Sequence, residues 1–317
     1  MKKLLLFSLG LVALNLGCEE SSMSPGNENE AVGNISFSIT DAPIDDSSVS
    51  AAFVTITEIK VDGKIYEGFQ GPKTINLLEL QNGNSLSLGN SQIAAKSYST
   101  IDLVINAEQD ATNSGPGCYI LKSDGSKDKL ELSGSNDLAI SLQPSDFEVA
   151  ENGTTEIIMD FDLRKSIRND GGNYSFVSNS QLTSAVRAEN KNNTGNIKGK
   201  VDNYAEAKSN VVVYVYKKGS FSESSEVNGN GGIKYSNSIS SAKVDASGNF
   251  TLAFLPEGNY EIICDKPESG SIGGLGINTL LNISSSTDLS NVGVNARAET
   301  SLSLKLEIGG LLNLSSM

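Results

Sequence analysis

Two short acidic stretches hold the side chains best suited to chemistry. In Asp160-Phe161-Asp162-Leu163-Arg164-Lys165-Ser166, carboxylates two residues apart share one face of an extended strand while Phe161 turns into the core. Hard carboxylate oxygens at that spacing suit calcium, with backbone carbonyls or Asn side chains completing the shell. The competing reading is a strand-end ion-pair network in which Arg164, Lys165 or Arg168 neutralises both acids. In Thr40-Asp41-Ala42-Pro43-Ile44-Asp45-Asp46, Pro43 fixes its own φ and biases Ala42 towards extended geometry. Asp41 then caps a turn, and Asp45 and Asp46 are left to face solvent or a cation. No cofactor is certain. Calcium is the one the pattern suggests, at Asp160, Asp162, Asp41, Asp45 and Asp46, provided the fold brings the two stretches together.

Paired carboxylates also serve glycosidases, one as acid and the other as nucleophile or base. The composition argues against that use here. The chain has no Trp to stack on a sugar ring and no His, which removes Ser-His-Asp and Cys-His catalysis and most zinc sites. No G-x-S-x-G elbow stands in a strand-turn-helix context. The glycine-rich stretch 269–278 lacks the Lys-Ser/Thr ending of a phosphate loop. The chain is therefore expected not to be an enzyme. A net charge of −14 also excludes nucleic acid as a natural partner, since phosphate binding needs clustered Lys and Arg. Tyr204, Tyr214, Tyr216 and Tyr235 could line a sugar or peptide surface, although tyrosines alternating along a strand equally pack a sandwich core and its rim. A disulfide between Cys118 and Cys264 is chemically possible outside the cytoplasm, but they fall in different expected domains and a bridge needs Cα atoms within about 7 Å, so two separate thiols, at least one of them buried, are the expectation.

The elements that must position these groups are strands. Ile35, Phe37 and Ile39 alternate in "NISFSIT"; Val54 and Ile56 take one side of "AAFVTITEIKV" and Phe53, Ile59 and Val61 the other. "YSTIDLVIN" and "TTEIIMDF" behave alike, and no stretch sustains a helical period; "INLLEL" and "DLRKSI" are short enough to be single turns. With 31 glycines and much Ser and Asn, the composition supports turns between short strands. The expected fold is all-β: a β-sandwich-like domain over 33–190, a polar Asn-rich linker at 189–195, a second sandwich over 195–300 and a tail at 301–317. In the second, Val211, Val213 and Val215 alternate with Val212, Tyr214 and Tyr216, so both faces are apolar. "DASGNF" and "PEGNY" are tight turns, and 219–232 reads as a mobile loop.

At the N-terminus, Lys2 and Lys3 precede an apolar run from Leu4 to Leu16. Thirteen helical residues span roughly 20 Å, short of a ~30 Å hydrocarbon core, so the run is a signal-peptide core. Leu16-Gly17-Cys18 resembles a bacterial lipoprotein lipobox, with Asn15 departing from the usual leucine. That resemblance makes 1–17 a signal peptide, Cys18 the lipidation site and 18–32 a solvated tether. Each buried acyl CH₂ contributes about 0.8 kcal/mol, so two or more chains anchor stably. Glu19-Glu20 after the cysteine reads as a sorting signal. The expected location is the outer membrane of a two-membrane bacterium, at the cell surface or on the periplasmic face.

Two longer resemblances follow. "GNISFSITDAPIDD", "FVTITEIKVDG", "INLLELQNG" and "MDFDLRKSIRNDGGNY" are similar to a family of bacterial lipoprotein domains catalogued as domain of unknown function 4382, over about 33–190. The sequence departs from that family at "VSNSQLTSAVRAEN", where a proline-containing strand is usual. Gly195 to Val201, Asp245, Gly248 to Phe250 and Leu255 to Tyr260 resemble the carboxypeptidase-regulatory-like family, a transthyretin-like sandwich, over about 195–295. The resemblances imply a surface lipoprotein with a non-catalytic accessory module. The expected function is binding or adhesion to a polysaccharide or an envelope protein. The alternative is a structural or assembly role in the envelope, and a carboxylate-dependent hydrolase ranks last.

Overall fold

The computed structural model describes residues 30–41, 46, 48–207, 210–227, 233–266 and 279–307. Strands dominate, as the alternating segments require. In the N-terminal half, one sheet runs Val186–Asn190, Thr154–Phe161, Val32–Thr40, Leu86–Ala94. Its two middle strands are parallel to each other, and the outer pairings are antiparallel. The facing sheet is built on the 13-residue strand Val49–Val61, long enough to pair with Tyr119–Lys122, Ile101–Asn106, Lys73–Asn76 and Lys64–Ile65. Ile35, Phe37 and Ile39 from one sheet and Val54, Ile56 and Ile101 from the other close a single core. Burying each such side chain contributes roughly 1.5–3 kcal/mol.

One face assignment changes. Val54, Ile56, Ile59 and Val61 are all buried on the same core, whereas Phe53 lies half-buried and stacked on Tyr119. The pairing with Ile101–Asn106 slips between Ile56 and Glu58, and this bulge resets the two-residue alternation halfway along the strand.

The C-terminal half pairs only within itself among the named strands. Asn249–Pro256, Thr194–Val201, Glu299–Leu306 and Ile283–Ser284 form one sheet; Ser240–Lys243, Val212–Lys217, Gly258–Lys266 and Thr279–Leu280 form the other, with Val292–Val294 on Gly258–Lys266. Both halves are sandwiches. Val211, Val213 and Val215 face the core between the sheets; Val212, Tyr214 and Tyr216 face outward, where Tyr235 and Phe221 cover them. The expected turn at 245–250 is present: the Asp245 carboxylate accepts from the Ser247 and Asn249 amides, and Gly248 has a φ of +87°.

Three expectations need correcting. Asn190 caps a 3₁₀ turn at Lys191–Asn193, and the chain passes directly from strand Val186–Asn190 into strand Thr194–Val201, leaving no free linker. Glu299–Leu306 pairs parallel with Thr194–Val201, so the second sandwich extends past residue 300, and of the tail only 308–317 lies outside the described residues. Within the stretch expected to be a mobile loop, Glu223–Glu226 forms a helical turn with Glu226 buried; 228–232 lies outside the described residues, as does 269–278. A helix at Asn179–Ala185, with Ser178 and Gln181 as a capping box, occupies the departure from the usual proline-containing strand. Among the described residues no helix is long and apolar enough to cross a membrane.

Candidate functional site

The stretch from Asp160 to Ser166 lies where the two sandwiches meet. Thr154–Phe161 carries Asp160 at its end, and in the antiparallel register Arg187 stands directly opposite. Arg187 donates from Nη2 and Nε to Asp160 Oδ2 at 2.8 and 3.1 Å. The same guanidinium donates from Nη1 to the Phe254 carbonyl at 2.8 Å, reaching into the C-terminal sandwich. Beside it Ile158 packs on Ala253 and Phe254. Burial pushes the Asp160 carboxyl above its ordinary value, with Arg187 opposing the shift. Asp160 Oδ1 has no hydrogen-bond partner among the described residues.

Asp162 is not on the strand. It is the N-cap of the helical turn Leu163–Ser166, and its Oδ1 accepts from the Lys165 amide at 3.2 Å. Its Oδ2 meets Arg164 Nη2 at 3.3 Å and Lys165 Nζ at 3.4 Å. Burial would raise this carboxyl, but Arg164 and Lys165 hold it below the ordinary carboxylate range. Both cations also bind the second sandwich. Arg164 donates to the Lys234 carbonyl at 2.5 Å and to Ser238 Oγ at 2.8 Å, and lies 5.2 Å from the Tyr214 ring centroid. Lys165 donates to the Ser238 carbonyl at 2.5 Å. Ile233, from the same turn, is buried with the N-terminal core. A cleft of about 310 Å³ opens beside Lys165, between the Asn179–Ala185 helix and this turn.

The second acidic stretch serves other contacts. Asp41 Oδ1 accepts from the Leu163 amide at 3.1 Å, so Asp41 caps the 163–166 turn across space rather than a turn of its own. Asp46, expected to face solvent or a cation, is buried. Its Oδ1 accepts from the Ser48 amide and hydroxyl, and its Oδ2 from Tyr174 Oη at 2.8 Å and Asn169 Nδ2 at 3.1 Å. Burial would raise it, yet these bonds hold it below the ordinary value. It thereby pins the hairpin Ile167–Asp170/Asn173–Phe176. Asp45 and Cys18 lie outside the described residues. Among the described residues no group of three or more His, Cys, Asp or Glu side chains could hold a metal ion. The fold does bring Asp41 to the 160–166 stretch, but there it accepts from the Leu163 amide, while the cations there pair with Asp160 and Asp162.

Tyr214, Tyr216 and Tyr235 are buried, and Tyr204 is only partly so, packed against the second core; the first three cannot present ring faces to a sugar. Cys118 and Cys264 are both buried and free. Burial pushes each thiol up to about 12. Arg187, Ser238, Phe254 and Ile233 were not identifiable as site residues from local sequence. Only the strand pairing reveals Arg187, 27 residues from Asp160.

The arrangement is chemically closed: each carboxylate of the 160–166 stretch is neutralised by a cation that also grips the neighbouring sandwich. Breaking one side of such a buried pair costs ~3–5 kcal/mol, whereas exposed pairs contribute ~1 kcal/mol or less. The geometry fits a joint between domains.

No curated protein matches the chain. Among solved structures it is similar to the TIE protein of Bacillus anthracis, at 12% identity and a TM-score of 0.19, covering 87% of this chain and 34% of that one. This chain thus spans about a third of the length of TIE. It is also similar to BcpA, the major pilin subunit of Bacillus cereus, at 10% identity and TM-score 0.20, with coverage of 87% and 70%. A single B repeat unit of the collagen-binding surface protein of Staphylococcus aureus gives 7% identity and TM-score 0.19, with 88% and 98% covered. The segment 32–178, most of the N-terminal sandwich and all of its acidic stretches, matches the model of the family described as "Domain of unknown function (DUF4382)".

Proposed function

We propose that this is a non-catalytic cell-envelope protein, anchored through lipid on Cys18 to an outer membrane, whose two sandwiches form one stiff arm that displays a binding surface for a polysaccharide or a protein partner. The observation that carries the reading is the buried joint: Asp160, Asp162, Arg164, Lys165 and Arg187, the residues best equipped for chemistry, are committed to holding one sandwich against the other. A hydrolase would need a carboxylic acid and a carboxylate open to substrate. Here both acids are ion-paired and buried. A stiff arm on a short tether suits a molecule that must hold its outer loops away from a membrane. The lipobox-like segment supplies the attachment, and the acidic surface keeps the arm off anionic lipid.

The test is retention of the full-length protein, in detergent micelles, on immobilised bacterial and host polysaccharides, with calcium and with chelator. Saturable retention in both conditions, with no release of reducing ends, supports the reading. Turnover that Asp160→Asn or Asp162→Asn abolishes would replace it with a hydrolase.

A further inference from the structure

A further buried acid lies beside the joint and takes no part in its ion pairs. Asp265, at the end of strand Gly258–Lys266, is fully buried, and neither carboxylate oxygen meets a donor in good hydrogen-bond geometry among the described residues. Its register partner on the neighbouring strand is Val212, which places its side chain on the outward, tyrosine-bearing face of the sheet. The turn 233–238 covers that face. Tyr235 stacks on Tyr214 at 4.1 Å, and Lys234 and Tyr235 from this turn favour the ionised carboxylate, while burial, the larger effect, favours the protonated one. The same turn supplies the acceptors that hold the N-terminal sandwich: the Lys234 carbonyl for Arg164, and Ser238 Oγ and carbonyl for Arg164 and Lys165.

Burial makes an ionised Asp265 costly under a closed lid even with Tyr235, the Lys266 amide and Lys234 opposing that cost, and the ionised form is cheaper when water reaches it. We propose that Asp265 is a proton-operated latch: protonated, it lets the turn 233–238 close and grip Arg164 and Lys165, and ionised, it loosens that grip. Burial pushes its pKa up to about 6. The sign follows from linkage: the closed state binds the proton more tightly than the open one, so acid favours closure. With a midpoint near 6 when closed and 3.8 when open, the closed-to-open ratio rises about tenfold from pH 7.5 to 5.

Other charged groups face the same region. Lys243 lies in register beyond Val212 on the third strand, Glu226 accepts from Tyr216 and Asn237, and Arg164 lies over Tyr214. Asp160, Asp162 and Glu189 titrate at the joint itself. A pH slope arising from any of these survives in Asp265→Asn, whereas a slope arising from Asp265 does not.

The test is hydrogen–deuterium exchange of full-length protein in micelles, followed on the peptide spanning 233–239 and corrected for the intrinsic chemical rate. The Tyr235 and Ser238 amides there are bonded to the Glu226 and Tyr235 carbonyls. Wild-type protection rises about tenfold between pH 7.5 and 5. Asp265→Asn is flat, already at the pH 5 level at pH 7.5. A flat wild type, or a slope that persists in the variant, overturns the proposal. Should Asp265→Asn fail to fold, the ¹³C carboxyl titration of Asp265 in the wild type decides: a midpoint above 5 supports the latch, and one below 5 refutes it.

Discussion

Replacing Arg187 by Met leaves Asp160 buried with its strongest partner gone, while a side chain of similar length fills the space. The cost has two bounds. Removing one partner of a buried ion pair costs ~3–5 kcal/mol. The acid can escape by taking a proton, and protonating a carboxyl of ordinary pKa 3.8 at pH 7 costs about 4 kcal/mol, which sets a ceiling on that part. The lost bond to the Phe254 carbonyl adds about 1 kcal/mol. We expect a loss of about 4 kcal/mol at pH 7, read as a shift of the urea midpoint by circular dichroism, since the chain has no Trp to report by fluorescence. In the variant the folded-state pKa of Asp160 lies far above its unfolded value. The penalty therefore shrinks as pH falls, by up to ~1.4 kcal/mol per unit towards pH 4.5. Adding Asp160→Asn to Arg187→Met restores most of the loss. A penalty under ~1 kcal/mol, as for an exposed pair, refutes the reasoning, as does one undiminished in acid.

Further outcomes are expected elsewhere. Arg164→Lys keeps the charge but loses the planar fork that reaches the Lys234 carbonyl, Ser238 and the Tyr214 face; it should cost ~2 kcal/mol and speed protease cleavage at 233–239, and wild-type resistance there would contradict the contacts. Cys118 and Cys264 should resist maleimide at pH 8 in the folded protein and react once it is unfolded. Thiol counting also tests the anchor: unfolded lipidated protein yields two reactive thiols from the three cysteines, and Cys18→Ala should release the chain from membranes. An unchanged membrane fraction for Cys18→Ala would disprove anchoring at that residue.

Much of the strand framework is legible in the residues because burial on a sheet follows a period of two. Ile35, Phe37 and Ile39 are fully buried as their alternation requires, and Val211 to Tyr216 divide between two apolar environments. The reading fails where a single residue breaks the period, as at the bulge beside Glu58. It fails again where a strand yields to a cap, as at Asp162, whose side chain serves the turn that follows it. The cations expected around Asp162 are there in Arg164 and Lys165, because residues two and three positions away are within reach of a local turn. Arg187 and Ser238 were not visible, since pairing register and docking between sandwiches are set by packing over distances in sequence that no local pattern encodes. Asp46 looked free because its partners, Asn169 and Tyr174, lie on a hairpin more than 120 residues away.

The stiffness of the joint can be measured as a distance. Spin labels at Lys64→Cys and Ala246→Cys, both exposed and on different sandwiches, would report the inter-sandwich separation by double electron–electron resonance, the native thiols at Cys118 and Cys264 being buried. A single narrow distribution in the wild type, unchanged by calcium or chelator and broadened by Arg164→Met with Arg187→Met, is the expected result. A broad wild-type distribution, or one that narrows only when calcium is added, would contradict the joint and return the acidic stretches to metal binding.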